Sequence, residues 1–137
     1  TVVAQWLHSG CMLTSWIWDE ADDPNAVKVV TDTKGRALYF SRATIPFDRE
    51  NGQKRPGDIP TEFEMYRHLG IYGYRKSFLL EFTRMAPTPL EKLESLEQLR
   101  ILETGNSILV LETESHSPGV DCPEDLERVE QLIKENH

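Results

Sequence analysis

Leu90, Leu93, Leu96, Leu99 and Leu102 recur at helical spacing and form one apolar stripe. Thr88 and Glu91 fit the T-x-x-E capping box, with Pro89 at the first helical position and Gly105 where a left-handed C-cap would stop the chain. The spacing predicts a single helix over 89–103. Glu97 and Gln98 fall off the centre of the stripe, and periodicity alone reads them as a solvated helix flank.

The same reading divides the rest of the chain. Val2 to His8 has the pattern of the tail of an amphipathic helix ended by Ser9 and Gly10, followed by a Trp-rich extended piece from Met12 to Trp18. Ala26 to Thr31 and Arg36 to Arg42 are β-branched and aromatic runs joined by Asp32, Thr33, Lys34 and Gly35, which predicts a hairpin. Ile45 to Phe63 is rich in proline, glycine and charge, and a mobile loop is expected over 48–62. Glu64 to Tyr74 alternates as a strand, with Tyr66, His68, Tyr72 and Tyr74 on one face and Gly70 between them. A helix over 75–85, a buried strand over 107–112 and a final helix over 123–134 complete the pattern. The expected fold class is α/β, one domain over 1–137, with helices covering a sheet.

A chain of 137 residues buries roughly two thirds of its unfolded surface on folding, enough for an ordinary core. The formal charge of -8 excludes non-specific binding to nucleic acid or anionic membranes unless a basic patch is concentrated somewhere, and the short Arg49 to Arg55 stretch is not enough. No apolar run reaches membrane-spanning length. Cys11 and Cys122 match neither a disulfide framework nor a zinc spacing, which points to free thiols and a cytoplasmic protein.

Several polar residues have two readings each. His68 and Tyr72 project from one strand face, about 13 Å apart along a regular strand. They suit either the two ends of a polar ligand or hydrogen bonds at a sheet surface. Arg42 ends a strand, where a guanidinium clamps a carboxylate or stays in solvent. Asp121 precedes the last predicted helix, as an N-cap or as a ligand for a hard divalent cation.

DPNAVKVV, ALYFSRATIPFDR, YRHLGIYGYR, PLEKLESLEQLRILETG and GVDCPEDLERVE occur in this order, and together they closely resemble the 3-deoxy-manno-octulosonate (KDO) cytidylyltransferases. These enzymes make the CMP-activated sugar acid for lipopolysaccharide. The resemblance runs from about Asp23 to the end and is looser over Thr1 to Glu20. It implies part of a nucleotide-diphospho-sugar-transferase-like sheet, and a homodimer to which the hairpin around ALYFSR contributes. It also implies a sugar-acid pocket of Arg42, His68, Tyr72, Glu97 and Gln98, with Asp121 as one of two magnesium-binding aspartates. In that family magnesium holds the triphosphate while the sugar hydroxyl attacks the α-phosphorus. Cys122 stands where threonine is common.

The family's phosphate-binding loop of glycines and basic residues does not occur here, nor does its QGDEP-like segment with the other metal ligand. The expectation is therefore a C-terminal portion holding the sugar-acid pocket, noncatalytic alone and dimeric. Two alternatives stand beside it: a half-enzyme that works only with a separately encoded CTP-binding half, and a dimeric structural protein with a decayed pocket.

Overall fold

The computed structural model describes residues 9–15, 22–47, 49, 66–113, 129–131 and 134. Its elements run β1 (Ser9–Ser15), β2 (Lys28–Thr31), β3 (Ala37–Ser41), β4 (Tyr66–Tyr74), α1 (Lys76–Phe82), α2 (Pro89–Glu94), α3 (Gln98–Glu103) and β5 (Ile108–Thr113). The strands form one sheet in the order β3-β2-β4-β1-β5, an α/β arrangement in which β1 and β5 are parallel and the other pairs antiparallel. No helix among the described residues is long and apolar enough to cross a membrane.

The hairpin of β2 and β3 forms as the turn residues require. The Asp32 carboxylate accepts the N–H groups of Lys34 and Arg36 at 2.8 and 2.9 Å, and Gly35 adopts φ +73. Asp32 is held below the usual carboxylate range by these backbone N–H groups. The turn reaches across to the far side of the sheet, where Val110 donates to the Gly35 carbonyl at 2.8 Å and Arg36 bridges to Leu109. The hairpin is thus an integral part of the sheet.

Three expectations need correction. The extended piece expected from Met12 begins earlier: Ser9 and Gly10 already belong to β1, where they pair with Tyr74 and Gly73. The single helix over 89–103 is two helices, because Ser95 turns left-handed at φ 54 and ends α2. Leu93 consequently faces outward at 81% exposure, while Leu96 and Leu99 remain in the core. The last strand is buried at Ile108 but open at Leu111.

Of the predicted capping box the Glu91 half forms, its carboxylate accepting the Thr88 N–H at 3.0 Å while the Thr88 hydroxyl makes no cap bond, and Gly105 is left-handed as the sequence predicts. In addition, the Glu103 carboxylate at the end of α3 accepts the Leu90 N–H at 3.0 Å, so the close of one helix satisfies the start of the other. Residues 129–131 and 134 are helical, in keeping with the expected final helix. The Val2 to His8 helix tail, the tryptophans Trp6, Trp16 and Trp18, the loop over 50–62 and Asp121 lie outside the described residues.

The core gathers Val29 and Phe40 from the hairpin, Phe78 and Phe82 from α1, Leu96, Leu99 and Ile101 around α3, and Ile108 from β5. Arg100 lies over the Phe82 ring, 4.7 Å from its centre, and forms a two-pronged ion pair with Glu91. That guanidinium holds the Glu91 carboxyl below its ordinary range.

Candidate functional site

A cleft of about 710 Å³ opens between β4, the end of β3 and the break between α2 and α3. Arg42, His68, Tyr72, Glu97 and Gln98, drawn from three separate stretches of sequence, all line it.

β4 supplies the first wall. Between the pairs Cys11 with Tyr72 and Leu13 with His68, β4 uses four residue steps where β1 uses two. The surplus is a bulge around Gly70, whose φ of +73 suits glycine. His68 and Tyr72 therefore stand opposite residues only two apart on β1, about 7 Å of strand. Their ring centres are 5.1 Å apart, which replaces the 13 Å expected for a regular strand. The rings continue as a ladder, with Tyr72 on Tyr74 at 5.9 Å and Tyr74 on Phe82 at 6.0 Å, and Phe40 meets His68 edge-on at 5.4 Å.

The electrostatic state of His68 follows from this setting. Burial lowers its pKa from 6.5 to about 4, so the imidazole is neutral at physiological pH. Nε2 accepts the Gly70 N–H at 3.2 Å, which assigns the proton to Nδ1.

The second wall is the helix break. The left-handed turn at Ser95 ends α2 and lets α3 start afresh, so that Ser95, Leu96, Glu97 and Gln98 all reach the cleft. Glu97 is exposed at the mouth. Gln98 is 6% exposed, and its Nε2 meets no hydrogen-bond partner among the described residues. An unspent buried amide costs about 1–3 kcal/mol unless something else satisfies it.

Arg42 forms the third side and is firmly anchored. Nε donates to the Glu94 carbonyl at 2.8 Å and Nη1 to the Pro24 carbonyl at 2.9 Å, using two of the five N–H donors of a guanidinium. The Glu94 side chain accepts the Arg42 N–H at 3.0 Å and the Ser41 hydroxyl at 2.8 Å. Beneath them Lys28, 1% exposed, donates from Nζ to the carbonyls of Asp23 at 2.6 Å and Arg42 at 2.7 Å. Burial pulls the Lys28 ammonium below its usual pKa, against the opposing pull of Asp23 and Asp22.

Glu94 and Lys28 were not foreseen. Each reads locally as one more solvated charge, and Glu94 meets Ser41 and Arg42 across more than fifty residues of chain. Among the described residues no group of three or more His, Cys, Asp or Glu side chains is placed to hold a metal ion. Asp121 cannot be related to the cleft, since it lies outside those residues.

An α/β domain with a polar cleft at one end of a mixed sheet, walled by a cation, a neutral imidazole and a buried amide, suits a small, oxygen-rich anion. The cytidylyltransferase family pattern matches residues 17–108, and the chain belongs to that family. The 3-deoxy-manno-octulosonate cytidylyltransferase of Syntrophotalea carbinolica is 56% identical over 117 residues, covering 85% of this chain and 47% of that protein. The enzyme of the same name from Fusobacterium nucleatum is 48% identical over 119 residues, covering 87% of this chain and 45% of that protein. Among solved structures, CMP:2-keto-3-deoxy-manno-octonic acid synthetase complexed with CTP superposes with a TM-score of 0.83 at 34% identity, over 98% of this chain and 52% of that one. The chain thus spans about half the length of the relatives it matches.

Proposed function

We propose that this chain carries the sugar-acid pocket of a KDO cytidylyltransferase, binds 3-deoxy-manno-octulosonate in the cleft, and does not transfer a cytidylyl group by itself. The observation that carries the reading is the convergence of Arg42, His68, Tyr72, Glu97 and Gln98 on one cleft, with the Gln98 amide buried and unspent there. Arg42 takes the sugar carboxylate. The neutral His68 donates through Nδ1–H to a hydroxyl. Gln98 donates its amide to a second oxygen, and Glu97 accepts from a hydroxyl at the mouth. Tyr72 lies tilted against His68 and holds the ring in place.

Several parts of the reading rest on the family resemblance. Asp121 is proposed as a magnesium ligand, and among the described residues no group of three or more His, Cys, Asp or Glu side chains is placed to hold a metal ion. No step is therefore derived through the metal. A dimer is proposed as well, with the hairpin in the interface, and the protein is proposed to act in the cytoplasm.

The test is calorimetric titration of 3-deoxy-manno-octulosonate into the chain and into Arg42→Ala, beside pyrophosphate release from CTP, the sugar acid and magnesium. Saturable binding that Arg42→Ala weakens at least tenfold, with no pyrophosphate, bears the reading out. Pyrophosphate that disappears in Asp121→Ala would instead mean a complete enzyme. Sedimentation as a monomer throughout the micromolar range would refute the dimer.

A further inference from the structure

The main chain of Arg42 is held at both ends by side chains of opposite charge: its N–H by the Glu94 carboxylate on α2, its C=O by the Lys28 ammonium on β2. The guanidinium of the same residue is tied back to the Glu94 carbonyl and the Pro24 carbonyl. The Glu94 carboxylate makes one of the four bonds and its main-chain carbonyl another, and through the Ser41 hydroxyl the carboxylate also fixes the residue before. A free arginine side chain samples many rotamers, worth up to about 2 kcal/mol of entropy, so these bonds spend in advance what a ligand would otherwise have to overcome.

We propose that Glu94 is a positioning residue: it holds Arg42 so that the guanidinium meets the carboxylate of a sugar acid, and so makes the cleft selective for acids over their uncharged derivatives. The inference rests on the sugar-acid reading above. Charge alone argues the opposite role. Glu94 is an anion set beside Arg42 and Lys28, among Asp22 and Asp23, and removing it leaves the surroundings of the guanidinium one charge more positive. Simple attraction then predicts tighter acid binding without Glu94. Positioning predicts weaker binding, so the two explanations differ in sign.

The experiment compares Glu94→Ala, Glu94→Gln and the unaltered chain in titrations with 3-deoxy-manno-octulosonate and with its methyl ester. In parallel, NMR follows the hydrogen exchange of the Arg42 Nε–H. Positioning predicts that Glu94→Ala weakens the acid by at least about tenfold, the loss of a hydrogen bond to a charged group. The ester should change by less than about threefold. Glu94→Gln, which keeps the shape and one acceptor oxygen, should recover most of the affinity. The Arg42 Nε–H should exchange faster in Glu94→Ala.

Unchanged or tighter acid binding in Glu94→Ala overturns the inference. So does an Arg42 Nε–H that stays equally protected there, whether or not any sugar binds. If the unaltered chain fails to bind the sugar acid while Glu94→Ala loosens Arg42, the positioning role stands and the sugar-acid reading falls. Should Glu94→Ala not fold, Glu94→Asp, which keeps the charge and withdraws it by one methylene, must show the same loosening to a smaller degree; full protection in it refutes the role.

Discussion

His68 offers the sharpest thermodynamic prediction. Burial against Phe40 and Tyr72 disfavours its charged form and sets its folded pKa at about 4 against an ordinary 6.5. The folded state therefore binds fewer protons than the unfolded state between these two values. Stability due to this residue is complete above pH 6.5, is lost as pH falls from 6.5 to 4, and changes no further below that. The whole shift corresponds to about 3.4 kcal/mol, of which about 2.5 kcal/mol is lost by pH 4.5. Carboxylates such as Glu91, held low by Arg100, lose stabilisation in an overlapping acid range, so the wild-type curve alone does not isolate the histidine. His68→Gln removes the titration and keeps an acceptor for the Gly70 N–H. Urea unfolding at pH 7.5 and 4.5 should show the wild-type chain losing about 2.5 kcal/mol more than the variant across that interval. Parallel losses, or an NMR titration of the imidazole with a midpoint near 6.5, would refute the reasoning.

Other expectations follow from particular contacts. Leu99→Ala, at a fully buried site, should cost about 2–5 kcal/mol in chemical denaturation, whereas Leu93→Ala, on the outward side of the same stripe, should change stability by about 0.5 kcal/mol or less. Equal losses would restore a continuous helix. Gly70→Val should cost about 1–2 kcal/mol because its φ of +73 is unfavourable to a side chain, although a Cβ there meets nothing within 4 Å. It should also weaken sugar-acid binding by displacing His68 and Tyr72, while Gly73→Ala leaves binding intact. Arg100→Ala removes the partner of Glu91 and the donor to the Met85 carbonyl at 3.1 Å, and thermal melting should show a loss of about 2–3 kcal/mol.

The hairpin was legible because its signals are local: β-branched and aromatic runs, and an Asp and a Gly placed where the turn needs them. The leucine stripe misled because a single left-handed residue at Ser95 leaves the repeat nearly in phase, so the periodicity runs on through a break in the backbone. That break is also what turns Glu97 and Gln98 into the cleft, and their position off the stripe was its only trace. On β4 the alternation named the right side chains and missed their spacing. Gly70 marked the bulge, but the surplus of two residues is defined only by pairing with β1, more than fifty residues earlier. Lys28 and Glu94 carried no sequence signal at all, since a buried charge differs from a solvated one only in what the fold brings to it. The five pocket residues were reached through the ordered family motifs; their spacing alone favoured a structural role for His68, Tyr72, Glu97 and Gln98 and left Arg42 open.

The central claim is that Arg42, His68, Tyr72, Glu97 and Gln98 form one pocket for a sugar acid. It is tested most directly by mapping NMR shifts of the chain on titration with 3-deoxy-manno-octulosonate. The account predicts saturable shifts concentrated at the Arg42 guanidinium, the His68 ring, the Tyr72 ring and the Gln98 side-chain amide, and their loss in Arg42→Ala. Shifts elsewhere on the surface, or none at millimolar sugar acid with the fold intact, would contradict it.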